Sequence, residues 1–184
     1  MSDVILEMSE KMEKSVEAFK IELSKVRTGR ASLALLDDIM VDAYGSTMPL
    51  NQVGTLTIPE SRLIAIQPWD PQMLAAIEKA IMKSGIGLTP VNDGKIIRLN
   101  IPQLTEERRK ELVKQVKKVA EEFRVAIRNA RRDAIDVLKK QKKDKEISED
   151  DLFKLQDEAQ AETDLHIKQI DETTALKEKE VMEV

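Results

Sequence analysis

The stretch Gly45–Pro102, GSTMPLNQVGTLTIPESRLIAIQPWDPQMLAAIEKAIMKSGIGLTPVNDGKIIRLNIP, holds all six prolines of the chain and five of its six glycines. The sixth, Gly29, stands alone before it, and the flanks are otherwise free of residues that break helices. Proline lacks the N–H a helix needs and glycine favours turns, so their confinement divides the chain into a helical segment, a compact mixed segment and a second helical segment.

Within and just before this stretch the period is that of strands. Ile39, Val41 and Ala43 alternate with Met40, Asp42 and Tyr44, and Leu56, Ile58, Leu63, Ile64 and Ile66 form β-branched-rich runs bounded by Gly54, Pro59 and Pro68. Asp70 followed by Pro71 predicts a helix start and Gly85 a stop, with Leu74, Ile77, Ala80 and Ile81 on the apolar face between them. Asn92-Asp93-Gly94 predicts a tight turn joining 88–91 to 95–101 as a hairpin.

Outward of the stretch the period becomes helical. Ile5, Met8, Met12, Val16, Phe19, Leu23 and Val26 recur every three or four residues and predict a helix from about Ser2 to Thr28, ended by Gly29. Thr105, with Glu106 and Glu107 behind it, opens a second stripe through Leu112, Val116, Val119, Phe123, Ile127, Ala130, Ala134 and Val137, reaching about Lys143. Ser148 and Asp151 are spaced as a capping box, Ile147 and Leu152 as a hydrophobic staple, and a weaker stripe follows through Leu155, Ala159, His166, Ile170, Thr173 and Leu176. Three single-stripe helices bury their faces only against one another. The fold class expected is therefore α+β: a three-helix bundle from 1–30 and 105–184, with 31–104 inserted as a small β/α/β domain. Two short crossings, near 29–31 and 102–105, have the anatomy of a hinge.

Composition excludes several functions. With no cysteine and one histidine among 184 residues, thiolate and imidazole metal sites lack ligands. The longest apolar run, about 73–77, is far short of a membrane span, and Met1-Ser2-Asp3 with early glutamates is no signal-peptide layout, so a soluble, reduced, cytoplasmic protein is expected. Gly85, Gly87, Gly94 and Lys95 miss the spacing of a phosphate loop, and Ile96 stands where that loop needs Ser or Thr. His166 falls on a packing stripe, which fits a core residue better than a catalytic one, and no enzyme motif accompanies it.

Charge is the informative quantity. The net −4 conceals +7 over 106–145 and −9 over 146–184. On the basic helix Arg109, Lys117, Arg124, Arg128, Arg131, Arg132 and Lys139 fall away from Phe123 and Ile127, with arginine, suited to bidentate phosphate contact, at the centre. Two readings remain open here: a surface for RNA or another polyanion, or a helix face neutralised by the acidic helix. Lys25, Arg27 and Arg30 add positive charge near Gly29, where they also suit the negative end of a helix dipole. Aromatics are 3% of the chain, too few for a base-stacking platform, so any RNA contact would be with phosphate and shape.

Taken together, KVRTGRAS at 25–32, Tyr44-Gly45 with Pro49-Leu50, EKAI at 78–81, LTEERRK at 104–110, RVAIRNARRD at 124–133 and DKEISED at 144–150 resemble the bacterial ribosome recycling factor family along essentially the whole chain. The resemblance implies an elongated, L-shaped molecule of transfer-RNA-like dimensions and no chemistry of its own: not an enzyme, with no nucleotide or metal cofactor. It implies binding to the large ribosomal subunit and its ribosomal RNA after termination, as a monomer. Subunit splitting would follow when elongation factor G, hydrolysing GTP, pushes on it. Carried onto this sequence it makes Arg109, Arg128, Arg131 and Arg132, with the Arg27 and Arg30 region, the RNA-contacting residues; the basic helix face itself adds Arg124, and Arg128 and Arg131 at its centre are expected to be the main anchors. Gly29, Arg30, Ala31, Pro102, Gln103, Leu104 and Thr105 become the hinge. The competing reading is a helical adaptor that pairs with other proteins as a coiled coil, and would dimerise.

Overall fold

The computed structural model describes Ser2–Glu183. The chain forms two compact units, Met1–Val26 with Glu106–Val184, and Arg27–Thr105. Arg27 to Arg30 and Thr105, placed with the bundle by the sequence reading, thus belong to the second unit.

The first unit is three helices, α1 (Asp3–Ser24), α3 (Glu106–Lys143) and α4 (Glu149–Met182), which pack on one another in every pairing. The stripe of α1 is buried from Ile5 to Leu23, with Phe19 against Phe123 of α3, ring centroids 5.4 Å apart. Helix α1 ends four residues short of the expected Thr28: Lys25 is its C-cap, its N–H turned back to the Glu22 carbonyl and the Val26 N–H to that of Leu23. Late in the two long helices the buried face departs from the predicted one. Leu138 rather than Val137 is buried, and Thr174 and Val181 are buried while Leu176 is 65% exposed. At about 100° per residue the face that holds Ile170 returns at 174, whereas 176 lies well round toward solvent. The polar members of the α4 stripe are satisfied locally. Thr163 and Thr174 donate to the carbonyls of Ala159 and Ile170, at 2.6 and 2.7 Å, and His166 Nδ1 lies 2.7 Å from the Glu162 carbonyl. His166 is therefore a core residue of the bundle.

The turn into α4 is fixed as its spacing predicts. Asp151 N–H donates to Ser148 Oγ at 3.0 Å and Ser148 N–H donates to the Asp151 carboxylate at 3.1 Å, while Leu152 is buried and Ile147 packs on the same core. The Ser148→Ala variant is expected to melt about 2–4 °C lower, read by circular dichroism, because one helix-end donor loses its partner.

The second unit carries a hairpin of β1 (Met40–Ala43) and β2 (Ser46–Pro49), and an antiparallel sheet of β3 (Gly54–Glu60), β4 (Leu63–Pro68), β5 (Pro90–Asn92) and β6 (Ile97–Asn100) in the order β3-β4-β6-β5. The alternation from Ile39 is real: Ile39, Val41 and Ala43 are buried with Ile64, Ile66, Ile97 and Leu99 beneath helix α2 (Leu74–Lys83), which adds Ile77 and Ile81. Asp70 caps a single 3-10 turn, Pro71–Met73, that leads into α2. Pro59 sits where the β3–β4 register breaks, between Thr57 and Glu60, the place a strand tolerates a residue without an N–H. The turn at Asn92-Asp93-Gly94 is longer than expected, because the Asp93 carboxylate accepts the N–H groups of Lys95 and Ile96, at 3.0 and 2.8 Å, and holds 93–96 as a loop.

Both chain crossings attach to one end of the β3–β4 hairpin. Ala31 N–H donates to the Ser61 carbonyl at 2.7 Å and Ile101 N–H to the Arg62 carbonyl at 2.8 Å. Gly29 has φ +78°, and a Cβ added to it would lie 3.2 Å from Leu104 Cγ. The first crossing thus needs glycine for both conformation and space where it meets the second.

Candidate nucleic-acid interface

Helix α3 carries fourteen basic and seven acidic residues, and α4 four and eleven. At 1.5 Å per residue the 38 residues of α3 span about 57 Å, a rigid rod along which charge is held at fixed spacing. Some of its arginines are paired with groups of the same or the acidic helix and others are open to solvent.

Arg124 is only 22% exposed and its guanidinium is occupied on two sides. Its Nε donates to Asp171 Oδ1 of α4 at 2.8 Å, Nη2 lies 2.7 Å from the same oxygen, and Nη1 is 3.2 Å from Glu121. Burial works against its charge, yet the bonds to Asp171 and Glu121 leave its pKa above the ordinary arginine value. It is a strut between two helices. Arg128, 40% exposed, shares Glu121 through Nη1 at 2.9 Å, and Arg131 Nη1 donates to Gln160 of α4, whose amide is held in turn by Asp164 at 2.8 Å. The stems of Arg131 and Arg109 pack closely enough that Nε is out of solvent, without a hydrogen-bond partner among the described residues. Arg132 is exposed and forms no ion pair among the described residues.

Four of the seven expected RNA-contacting arginines, Arg124, Arg128, Arg131 and Arg132, therefore lie within two and a half turns of one helix. Arg109 lies on the same helix, about 22 Å from Arg124 along the axis. Arg27 and Arg30 lie on the second unit, past the end of α1; Arg27 is exposed, with a guanidinium nitrogen 3.7 Å from where Gly87 would carry a Cβ.

The sequence reading missed the groups that hold these arginines in place. Glu121 was legible, since it sits three and seven residues before Arg124 and Arg128; Asp171 and Gln160 depend on the α3–α4 register, which no local pattern encodes. The Glu121 carboxyl is held below the ordinary glutamate range by hydrogen bonds from Arg128 and then Arg124. A group with a lowered folded-state pKa stabilises the fold above its unfolded value and loses that contribution as pH falls through the folded one. Glu121→Gln is therefore expected to melt below the parent at pH 7, with the gap closing as pH drops below about 4.5, and to bind polyanions more tightly because Arg128 is released, Arg124 staying on Asp171.

The comparisons with known proteins bear on the whole chain. The model of the family described as ribosome recycling factor matches residues 19–182. The chain belongs to the ribosome recycling factor family. The ribosome-recycling factor of Desulfotalea psychrophila is 79% identical over 184 residues, all of both chains, and that of Desulfosudis oleivorans 58% identical over 178 residues, 97% of this chain and 96% of the relative. Among solved structures, the solution structure of a ribosome recycling factor matches with a TM-score of 0.81 at 42% identity, covering 99% of this chain and 97% of that one. The T. thermophilus ribosome recycling factor, described with E. coli elongation factor G bound to the E. coli post-termination complex, matches with a TM-score of 0.68 at 45% identity over the full length of both. As a ribosome recycling factor fold the chain is α+β, helical bundle and small sheet domain, and no helix among the described residues is long and apolar enough to cross a membrane.

Proposed function

We propose that this chain binds the large ribosomal subunit after termination and, driven by elongation factor G and its GTP hydrolysis, separates the ribosome into subunits. The observation that carries the reading is the arginine face of α3, in a chain that belongs to the ribosome recycling factor family. Arg128, Arg131 and Arg132, with Arg109, anchor the bundle on ribosomal RNA phosphates. Arg124 keeps the face rigid so that no ordering cost falls on binding. Arg27 and Arg30 supply further phosphate contacts from the second unit. The chain contributes no bond-making step of its own and works in the cytoplasm as a monomer.

Motion comes from the two crossings. Ala31 and Ile101 are pinned to the β3–β4 turn, so rotation is confined to Gly29, Arg30, Pro102, Gln103, Leu104 and Thr105, with Ala31 at its edge. A partner that pushes the second unit then changes its geometry while the bundle stays anchored. The test is loss of light scattering from intact 70S ribosomes on adding the chain with elongation factor G and GTP. Scattering that stays constant, or sedimentation of the chain as a dimer free of large subunits, would favour the adaptor instead.

A further inference from the structure

The charges of the bundle are sorted by side. Over their helical residues α1, α3 and α4 carry net −3, +7 and −7, so the three helices together are acidic. The arginine face runs along α3 and its groove with α4, where Arg124 meets Asp171 and Arg131 meets Gln160. The groove between α1 and α4 lies on another side, with the width of α4 in between. That width, about 10 Å, is a little more than one Debye length at physiological salt, so a phosphate in either groove answers to the charges of that groove and not to the total.

Carboxylates line the α1–α4 groove. Ser9 Oγ donates to Glu162 Oε2 at 2.9 Å and marks where the two helices meet. Glu13 stands one turn on from Ser9, Glu158 one turn back from Glu162, and Glu10 and Glu17 share the exposed side of α1 with Glu13. The lysines of these helices do not neutralise them. Lys11, Lys20, Lys168 and Lys177 are each held by a glutamate of their own helix, which leaves Lys14, Lys154 and Lys179 without an ion pair among the described residues. Ten carboxylates of α1 and α4 have none either, Glu10, Glu13 and Glu158 among them. These three are exposed and also make no hydrogen bond among the described residues, so the fold does not use them. Like charges three and four residues apart, as at 10, 13 and 17, weaken a helix slightly.

A rod with one basic side and a neutral remainder would lie on RNA in many ways, since phosphates surround an RNA helix on all sides. A rod whose other groove repels phosphate is turned by the field to one approach, and loses affinity for RNA that would reach it from elsewhere. We infer that Glu10, Glu13 and Glu158 determine specificity: the α1–α4 groove keeps RNA off that side, so the bundle engages RNA in one orientation, by the arginine face of α3, and is not sequestered by free RNA. The inference rests on the phosphate-binding reading of α3 and adds to it what fixes the facing of the bundle.

The test compares the full chain with the Glu10→Gln/Glu13→Gln/Glu158→Gln variant on a short RNA duplex of mixed sequence. The photoreactive residue p-benzoylphenylalanine is placed at Val125, beside Arg128 and Arg132 on α3, or at Leu165, on the same side of α4 as Glu158; the two positions are 45% and 50% exposed. In the parent, cross-linking to the duplex is expected from 125 and only at background from 165. In the variant, cross-linking from 165 is expected to rise about tenfold at low salt and to fall back at high salt, with duplex affinity about threefold tighter or more and large-subunit affinity within about twofold of the parent. Equal cross-linking from 125 and 165 in the parent, or no rise at 165 in the variant, would overturn the inference. So would an equal rise in Asp37→Asn/Asp38→Asn/Asp42→Asn, which removes as much charge from the second unit and is expected to leave 165 at background. A parent chain that is one-sided on the duplex but does not bind large subunits would remove the functional reading and leave this one standing.

Discussion

A variant carrying Arg128→Ala, Arg131→Ala and Arg132→Ala is expected to bind large ribosomal subunits about a hundredfold or more weakly at moderate salt, with its fold intact. The expectation follows from what each side chain does in the free protein. Arg132 forms no ion pair among the described residues, Arg128 shares a carboxylate that Arg124 continues to hold, and Arg131 contacts a neutral amide. None is a major contributor to bundle stability, since surface ion pairs are each worth only about 0–1 kcal/mol. On RNA, each neutralised phosphate releases condensed counterions, so three lost contacts should make the log–log dependence of affinity on salt shallower by about 2 to 3. Sedimentation binding over a salt series measures both quantities. An unchanged slope would mean that the face does not meet phosphate.

Arg124→Ala supplies the contrast. Its guanidinium bridges Asp171 of α4 and Glu121, so its removal should lower the melting temperature and leave the salt slope closer to parental. Four arginines within nine residues look equivalent in one dimension. Only when α4 brings Asp171 and Gln160 alongside does Arg124 separate from the others as a strut between helices.

That separation shows where sequence reading succeeds and where it stops. The stripe from Ile5 to Leu23, the capping box at Ser148 and the alternation from Ile39 to Ala43 are each set by neighbours a few residues away. They appear in the structure where the pattern puts them. The exchanges of Val137 for Leu138 and of Thr173 for Thr174 were not legible, because a three-four stripe constrains phase loosely near helix ends, where the neighbouring helix decides which side is covered. The early end of α1 has a local cause that the pattern obscured. Val26 continues the apolar stripe, yet Lys25 already turns back to cap the helix.

Locking the two crossings together should slow splitting while sparing binding. The chain has no cysteine, so Gly29→Cys with Leu104→Cys would introduce its only disulfide. A Cβ at 29 lies 3.2 Å from Leu104 Cγ and 3.8 Å from Leu104 N, close enough for side chains at these positions to be bridged with small adjustment. Cysteine at φ +78° costs about 1–2 kcal/mol, so the reduced double variant, which carries the same strain, is the control. In the oxidised form neither crossing can shift against the other, and rotation of the second unit would require both to deform as one body. Large-subunit co-sedimentation is expected to match the reduced form, because the arginine face of α3 is untouched. The splitting rate in the light-scattering assay is expected to fall on the order of tenfold or more and to return on reduction. Full splitting by the oxidised form would show that the push is transmitted without relative motion of the crossings, and would move the working element from the hinge to the bundle.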